Sequence, residues 1–283
     1  MRTKKMFVFM LVLCLLVSVA ACTPASTEMP SVPDVTVTPD PSAIESTPDP
    51  TPTPEPTPMP EPEEQLPGNM VAFKAEDGLT VYADLYKTED ENAPYILLFH
   101  QAGWSRGEYS SIAPGLNELG FNCLAVDQRA GSGVNGVKNM TAVEAKELGL
   151  ANKFPDALSD LKAALLYAKD ELKAEKIIIW GSSYSASLAF ILANEFPEDI
   201  SGVLAFSPGE YFKYDGKKTE DYAPDIKCPV FIAGENIASK DIYDKVTSGN
   251  KIYVETTTHG SSVLWGDHDT DVWKQVAGFL NSL

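Results

Sequence analysis

Ser183 and His259 have the residue types and positions required for nucleophilic catalysis. Ser183 lies in the turn Gly181–Ser185 (GSSYS), between the apolar run KIIIW and an amphipathic helix, and His259 follows the run KIYVETTT. A serine hydroxyl is a weak nucleophile until a base removes its proton, and an imidazole titrates near neutral pH. The two residues therefore predict acyl transfer through a serine.

Alternating strand and helix signals extend over residues 70–283 and must position these side chains. A hairpin is expected about Asp77-Gly78, and helices are expected near 110–119, from Pro155, after the GSSYS turn and over 271–283. The other expected strands are Tyr95–His100, Asn122–Asp127 and the runs KIIIW, GVLAFS, PVFIAG and KIYVET. This alternation predicts an α/β fold, a three-layer α/β/α sandwich around a mostly parallel eight-stranded sheet, with its site at the carboxyl ends of the strands.

The order of serine after one strand and histidine after the last strand resembles the α/β-hydrolase family, over essentially all of residues 70–283. The nucleophile turn of that family is G-x-S-x-G, and this chain carries Ser185 in place of the last glycine. The strained turn requires small residues at both positions, and serine is small. The resemblance implies a serine esterase that uses no cofactor and no metal.

The third member of a catalytic triad has several candidates, because the chain departs from the family pattern there. The resemblance places an acid about three residues beyond the glycine that ends PVFIAG, and this chain has Ile237 at that position. Glu235 is the preferred acid because it follows the strand directly and has a long side chain. Glu210, Asp241 and Asn236 remain alternatives, as does a site without any acid.

The resemblance also implies an oxyanion-binding loop after the strand YILLF. The backbone N–H groups of Tyr184 and Ala102 are the expected oxyanion donors. Gln101 stands where relatives often carry glycine, and Trp104 is expected to line the acyl pocket. His100 is expected to fix this loop by hydrogen bonds.

The connection between GVLAFSP and CPVFIAG has only about twenty residues. Family members with a lid usually insert a helical cap there, so this chain is expected to lack a large cap domain and to have an open site. An open site favours small-molecule or polymer-borne esters over long lipids. The minimal domain also resembles the dienelactone-hydrolase branch, whose namesake uses a cysteine nucleophile.

Nucleic-acid binding and a metal site at His268 are both disfavoured by the sequence. The formal net charge of −18 leaves no basic patch for nucleic acid. His268 lies among acids in GDHDTD, but this stretch directly precedes the last helix, where acids favour the positive end of the helix dipole. We therefore expect no metal site there.

Asp127 and Arg129 are expected to be structural.

Residues 1–21 are expected to be a lipoprotein signal peptide. Basic residues precede the apolar run Met6–Val19, and small residues then end at Cys22. This pattern resembles a bacterial lipoprotein signal, which implies lipid such as palmitate on Cys22. The implied location is the extracytoplasmic face of the cell membrane.

Residues 22–69 are expected to form a disordered tether. From Thr23 to Asn69 the chain has 14 of its 21 prolines and neither Lys nor Arg. Such a composition favours extended polyproline II, with a reach on the order of 140 Å at about 3.1 Å per residue. The domain boundaries are thus 1–21, 22–69 and 70–283.

Cys123 and Cys228 are expected to be buried thiols rather than a required disulfide.

Two rival functions remain open from the sequence. One is a serine peptidase on the same fold, which the short chain disfavours because no propeller or cap domain is present. The other is a catalytically inactive binding lipoprotein, which the irregular acid position makes conceivable.

Overall fold

A computed structural model describes residues 66–283 of the chain. The predicted signal peptide, Cys22 and the predicted tether up to residue 65 lie outside the described residues. Within residues 66–283 no helix is long and apolar enough to cross a membrane.

Ten strands and seven α-helices form the described part of the chain. The strands are β1 (Met70–Lys74), β2 (Thr80–Tyr86), β3 (Tyr95–Phe99), β4 (Asn122–Val126), β5 (Gly133–Val134), β6 (Val137–Lys138), β7 (Ile177–Ser182), β8 (Gly202–Phe206), β9 (Val230–Gly234) and β10 (Lys251–Glu255). The helices are α1 (Ile112–Glu118), α2 (Met140–Glu147), α3 (Leu158–Asp170), α4 (Tyr184–Glu195), α5 (Thr219–Tyr222), α6 (Ile237–Lys245) and α7 (Asp271–Leu280). Short 3₁₀ turns lie at Arg106–Tyr109, Phe154–Ala157, Ala223–Asp225 and Gly260–Leu264.

Eight strands form one mostly parallel sheet in the order β1-β2-β4-β3-β7-β8-β9-β10. The strands from β4 to β10 in this order are parallel to their neighbours, while β1 and β2 form an antiparallel hairpin at one edge. Gly78 turns this hairpin with a φ of +83°, a conformation that glycine adopts without strain. The predicted eight-stranded, mostly parallel sheet is confirmed.

Helices cover both faces of the sheet because its central strands are apolar on both sides. Every residue of β3, β4, β7, β8 and β9 is buried. Alternate residues of β3 enter different cores: Leu97 packs in the core that includes α3 and α4, while Ile96 packs in the core that includes α1 and α7. The three-layer α/β/α architecture is therefore confirmed.

The connection from β8 to β9 contains only the four-residue helix α5 and a 3₁₀ turn, so the described chain has no large cap domain. The sequence predicted this connection to be short. In the described residues no additional domain covers the carboxyl ends of the parallel strands. Those ends carry the candidate site.

Sequence reasoning missed the small β5–β6 hairpin and helix α2 between β4 and α3. Polar contacts hold helix α2 against the rest of the domain, and its sequence therefore lacks the regular apolar face by which a helix is predicted. The Asn139 side chain accepts a hydrogen bond from Ala142 N at 2.7 Å and so caps the helix, and Thr141 Oγ1 accepts one from Tyr82 N at 2.9 Å.

The two thiols of the domain differ in burial, which corrects the expectation that both are buried. Cys123, within β4, is fully buried, whereas Cys228 lies just before β9 and is only half-buried. Both are free. Cys228 precedes the strand rather than lying in it, which explains its partial exposure.

Candidate active site

Ser183 occupies a sharp turn between β7 and α4. Its backbone has a φ of +58° and a ψ of −121°, a strained conformation for a residue with a side chain. The turn is possible because Gly181 lacks a side chain: a Cβ there would lie 2.5 Å from the backbone nitrogen of Ala186. The helix thus begins directly against the strand that precedes it, and Ser183 is presented at the carboxyl end of the sheet.

Gly181→Ala should destabilise the domain by about 1–3 kcal/mol, because the new methyl group meets backbone atoms that cannot rotate away. A matched control is Gly278→Ala in α7, where a Cβ would meet nothing within 4 Å. That control should be neutral or stabilising, since alanine is the better helix former. Urea unfolding measures both variants, and a Gly181→Ala protein as stable as wild type would contradict this description of the turn.

Ser183, His259 and Glu235 form one chain of hydrogen bonds across three strand ends. Ser183 Oγ lies 2.8 Å from His259 Nε2, and His259 Nδ1 lies 2.7 Å from Glu235 Oε1. A carboxylate can only accept a hydrogen bond, so it selects the tautomer in which Nδ1 carries the proton. Nε2 is then free to accept the proton of the Ser183 hydroxyl.

Glu235 is held in this position by two further donors. The Ser207 hydroxyl donates a hydrogen bond to Oε2, and Asn236 Nδ2 donates one to Oε1 at 3.1 Å. Burial raises the pKa of Glu235, but the hydrogen bonds from His259, Ser207 and Asn236 outweigh burial, so this pKa lies below its ordinary value. Glu235 is therefore ionised at neutral pH.

The other acids considered from sequence serve elsewhere. Glu210 accepts hydrogen bonds from the backbone N–H groups of Thr219 and Glu220, at 2.8 and 2.9 Å, and so caps α5. Asp241 is exposed within α6. Neither is hydrogen-bonded to His259.

Residue 237, where the family pattern expects the acid, is already the first residue of α6. Asn236 caps this helix by accepting a hydrogen bond from Ser239 N at 3.0 Å, and Ile237 is 80% exposed. The helix therefore starts too close to β9 for an acid three residues beyond the strand. The residue that directly follows the strand, Glu235, contacts the histidine instead.

The expected oxyanion donors lie on two neighbouring segments. Tyr184 N is the first N–H of α4, and Ala102 N lies in the loop after β3; among the described hydrogen bonds neither donates to a protein acceptor. The Gln101 N–H, in contrast, donates to Glu108 Oε2 at 2.7 Å. The role of the Ala102 and Tyr184 N–H groups as oxyanion donors stays a prediction.

His100 holds the loop after β3 from inside the protein. It is fully buried, its Nδ1–H donates to Gln101 O at 2.8 Å, and its Nε2 accepts a hydrogen bond from Gln128 N at 3.0 Å. Burial lowers the pKa of His100 to about 4, so the ring is neutral. This histidine has the positioning contacts that were expected of it.

Ser185, the departure from the family turn, is also part of this support. Its hydroxyl donates to His100 O and accepts a hydrogen bond from Gln128 Nε2 at 2.8 Å. A glycine could make neither contact. Serine therefore links the nucleophile turn to the loop after β3.

Tyr211 borders the site, whereas the role expected for Trp104 in the acyl pocket stays a prediction. Trp104 stacks on Trp265 with ring centroids 5.1 Å apart, and the Tyr211 ring meets His259 edge-on at 6.5 Å. The Tyr211 hydroxyl donates to Ser207 O at 2.8 Å. Sequence reasoning missed Tyr211 and Ser207, although Ser207 directly follows β8 and so marks a fourth strand end.

His268 is not part of a metal-binding group among the described residues. Among the described residues, no group of three or more His, Cys, Asp or Glu side chains is arranged to hold a metal ion. His268 Nε2 lies 3.1 Å from Ser111 O, and its ring packs against Trp273. Thr270 caps α7, with Asp271 in the first turn.

Comparison with known proteins identifies the fold. Residues 90–228 match the family described as "Serine aminopeptidase, S33". No curated protein sequence matches the chain.

Three esterases are among the solved structures similar to this chain, and each similarity covers 75% of the chain. An esterase from Pyrococcus furiosus is 20% identical, with 91% of that chain covered and a TM-score of 0.57. Est1E from Butyrivibrio proteoclasticus with bound ferulic acid is 17% identical, with 98% of that chain covered and a TM-score of 0.55. A thermostable carboxyl esterase from Bacillus coagulans is 12% identical, with 97% of that chain covered and a TM-score of 0.59. The chain has the α/β-hydrolase fold, which confirms the fold expected from sequence.

Proposed function

We propose that this chain, an α/β-hydrolase by fold, is a serine hydrolase that cleaves accessible carboxylic esters through an acyl-enzyme. The observation that carries the proposal is the continuous hydrogen-bond chain from Ser183 through His259 to Glu235. Each of these side chains follows a different strand, and Ser183 is held in a strained turn. Such strain at a polar, hydrogen-bonded side chain is typical of functional sites.

In the proposed reaction His259 Nε2 takes the proton of Ser183 as Oγ attacks the ester carbonyl carbon. The N–H groups of Ala102 and Tyr184 stabilise the resulting oxyanion, and ionised Glu235 stabilises the imidazolium. His259 then gives its proton to the departing alcohol as the carbon–oxygen bond breaks. Water gives a proton to the same nitrogen as its oxygen attacks the carbonyl carbon of the acyl-enzyme. The bond from this carbon to Ser183 Oγ then breaks, Oγ takes the proton back from His259, and the carboxylic acid leaves.

The substrate class is proposed from the shape of the site. The connection between β8 and β9 adds no cap, which supports access by short or polymer-borne acyl esters. The Tyr211 ring, which meets His259 edge-on, offers apolar surface at the site, and the stacked rings of Trp104 and Trp265 follow the loop that carries Ala102 as a further candidate surface. Because a structurally similar esterase binds ferulic acid, aromatic acyl esters belong among the candidates.

A comparison of esters with amides tests this proposal against the peptidase alternative, which the description of the matching family favours. We expect the purified protein to hydrolyse nitrophenyl acetate, butyrate and feruloyl esters, and to leave aminoacyl nitroanilides essentially uncleaved. EDTA should not change the rate. Efficient cleavage of the anilides, or activity lost to EDTA and restored by zinc, would contradict the proposal.

We further propose that the enzyme is anchored by lipid on Cys22 at the extracytoplasmic face of the cell membrane. The proposal is supported by the apolar run that ends in small residues and cysteine, and by the proline-rich segment that follows. Cells given labelled palmitate should incorporate label into the wild-type chain and not into Cys22→Ala. Equal labelling of both proteins would overturn the anchor.

A further inference from the structure

Glu108 is a buried carboxylate beside the proposed site that the mechanism above does not use. It lies in the 3₁₀ turn after the loop that carries Ala102 and is fully buried. Its Oε2 accepts a hydrogen bond from Gln101 N at 2.7 Å, and its Oε1 accepts one from Ser182 Oγ at 2.7 Å. One carboxylate thus joins the residue before Ala102 to the residue before Ser183.

Ser182 extends the connection to the segment that carries His259. Its Oγ accepts a hydrogen bond from Ser261 N at 2.9 Å, two residues after the histidine. The two segments are also packed tightly, because a Cβ on Gly260 would lie 2.5 Å from Ser182 Oγ. Glu108 and Ser182 therefore tie together the three segments that carry Ala102, Ser183 and His259.

The energetic cost of Glu108 argues against a purely structural role. No salt bridge among the described residues includes it, so the carboxyl group is buried without a cationic partner. Burial raises the pKa of Glu108 more than the hydrogen bonds from Ser182, Gln101 and Ser261 lower it, and the pKa lies at about 7. An apolar side chain would fill this space without that desolvation cost. A costly polar group that contacts the residues adjoining Ala102 and Ser183 is more typical of functional sites.

We propose that Glu108 is a positioning residue that aligns the oxyanion loop with the Ser183 turn and the His259 segment. The inference rests on the proposed serine hydrolase function. By accepting the Gln101 N–H, Glu108 orients the start of the loop whose next N–H, that of Ala102, remains free to bind the oxyanion.

Glu108→Gln tests this role with little change in shape. Glutamine offers one acceptor oxygen in place of two. If that oxygen keeps the Gln101 N–H, the amide nitrogen faces Ser182 Oγ, which can then no longer donate to residue 108 and must turn its proton elsewhere. We expect kcat for a nitrophenyl ester to fall by about 10- to 100-fold, because an oxyanion donor displaced by about 1 Å loses a large part of its effect. KM should change by less than about threefold, because the contact acts mainly in the transition state.

Glu144→Gln is a matched structural control outside the site. Glu144 Oε1 accepts hydrogen bonds from Thr80 N at 3.1 Å and Thr80 Oγ1 at 2.7 Å, and so holds α2 on β2. This variant should lower Tm, because an amide nitrogen cannot replace Oε2 as the acceptor of the Tyr82 hydroxyl at 3.3 Å, while the folded protein keeps the wild-type kcat. A Glu108→Gln protein with the same behaviour, a lower Tm and unchanged kcat, would overturn the proposal.

Ser182→Ala and the double variant complete the test. Ser182→Ala should lower kcat, and adding Glu108→Gln should reduce it by much less than the product of the two single effects, because both changes break one network. If Glu108→Gln does not fold, Ser182→Ala decides alone: lowered kcat supports the proposal and unchanged kcat overturns it. Failure of the proposed function would appear separately, as a folded wild-type protein that hydrolyses no ester.

Discussion

Ser183→Ala will lower kcat for ester hydrolysis by at least about 10⁴-fold while the protein remains folded. The expected size follows from the proposed role: without Oγ there is no nucleophile to form the acyl-enzyme, and only the oxyanion donors and binding contacts remain. The strained backbone of residue 183 is unaffected, because alanine has the same Cβ. Steady-state kinetics with a nitrophenyl ester and a thermal melt measure the two properties.

The solvent-exposed Ser111→Ala provides the matched serine control, since Ser111 lies at the start of α1 and its side chain does not cap that helix. It should keep the wild-type kcat. His259→Ala should be as inactive as Ser183→Ala, and the double variant no worse than either, because triad members act as a unit. A Ser183→Ala enzyme that retains a tenth or more of the wild-type kcat would assign the nucleophile elsewhere.

Glu235→Gln should lower kcat by about 10²- to 10⁴-fold with the fold intact. The amide keeps the shape of the carboxylate but removes the negative charge that stabilises protonated His259. It also permits the His259 tautomer in which Nε2 carries the proton. In that tautomer Nε2 faces Ser183 but cannot act as a base. The loss should therefore appear in kcat more than in KM.

Glu210→Gln separates this role from a general effect of removing an acid. Glu210 caps α5, so its loss should lower Tm and leave kcat close to wild type. Equal kcat for Glu235→Gln and wild type, together with an inactive Glu210→Gln, would move the acid to the segment after β8.

The sequence predicted Ser183 and His259 because the signals for these two residues are local. An apolar strand, a turn of small residues and a helix adjoin in the chain around Ser183, and His259 follows the last apolar strand directly. The same locality explains why Glu235 could be preferred but not separated from its alternatives. Its contact depends on α6 beginning at Ile237, and that helix start is set by the Asn236 cap.

Contacts between distant segments could not be predicted in the same way. Glu108 meets Ser182 across 74 positions of the chain, and Ser207 supports Glu235 across 28. No spacing rule relates such residues, because their approach depends on the order of strands in the sheet. Helix α2 was missed for a related reason, since hydrogen bonds to β2 hold it rather than a regular apolar face.

A fluorophosphonate reacts covalently with an activated serine and leaves a mass tag, so it tests the central claim directly. The wild-type protein should lose esterase activity in proportion to labelling, with the tag found by peptide mass spectrometry on Ser183 alone. Ser183→Ala should remain unlabelled. A folded wild-type protein that takes up no probe, or one tagged on Ser182 or another residue, would contradict the proposed serine hydrolase mechanism.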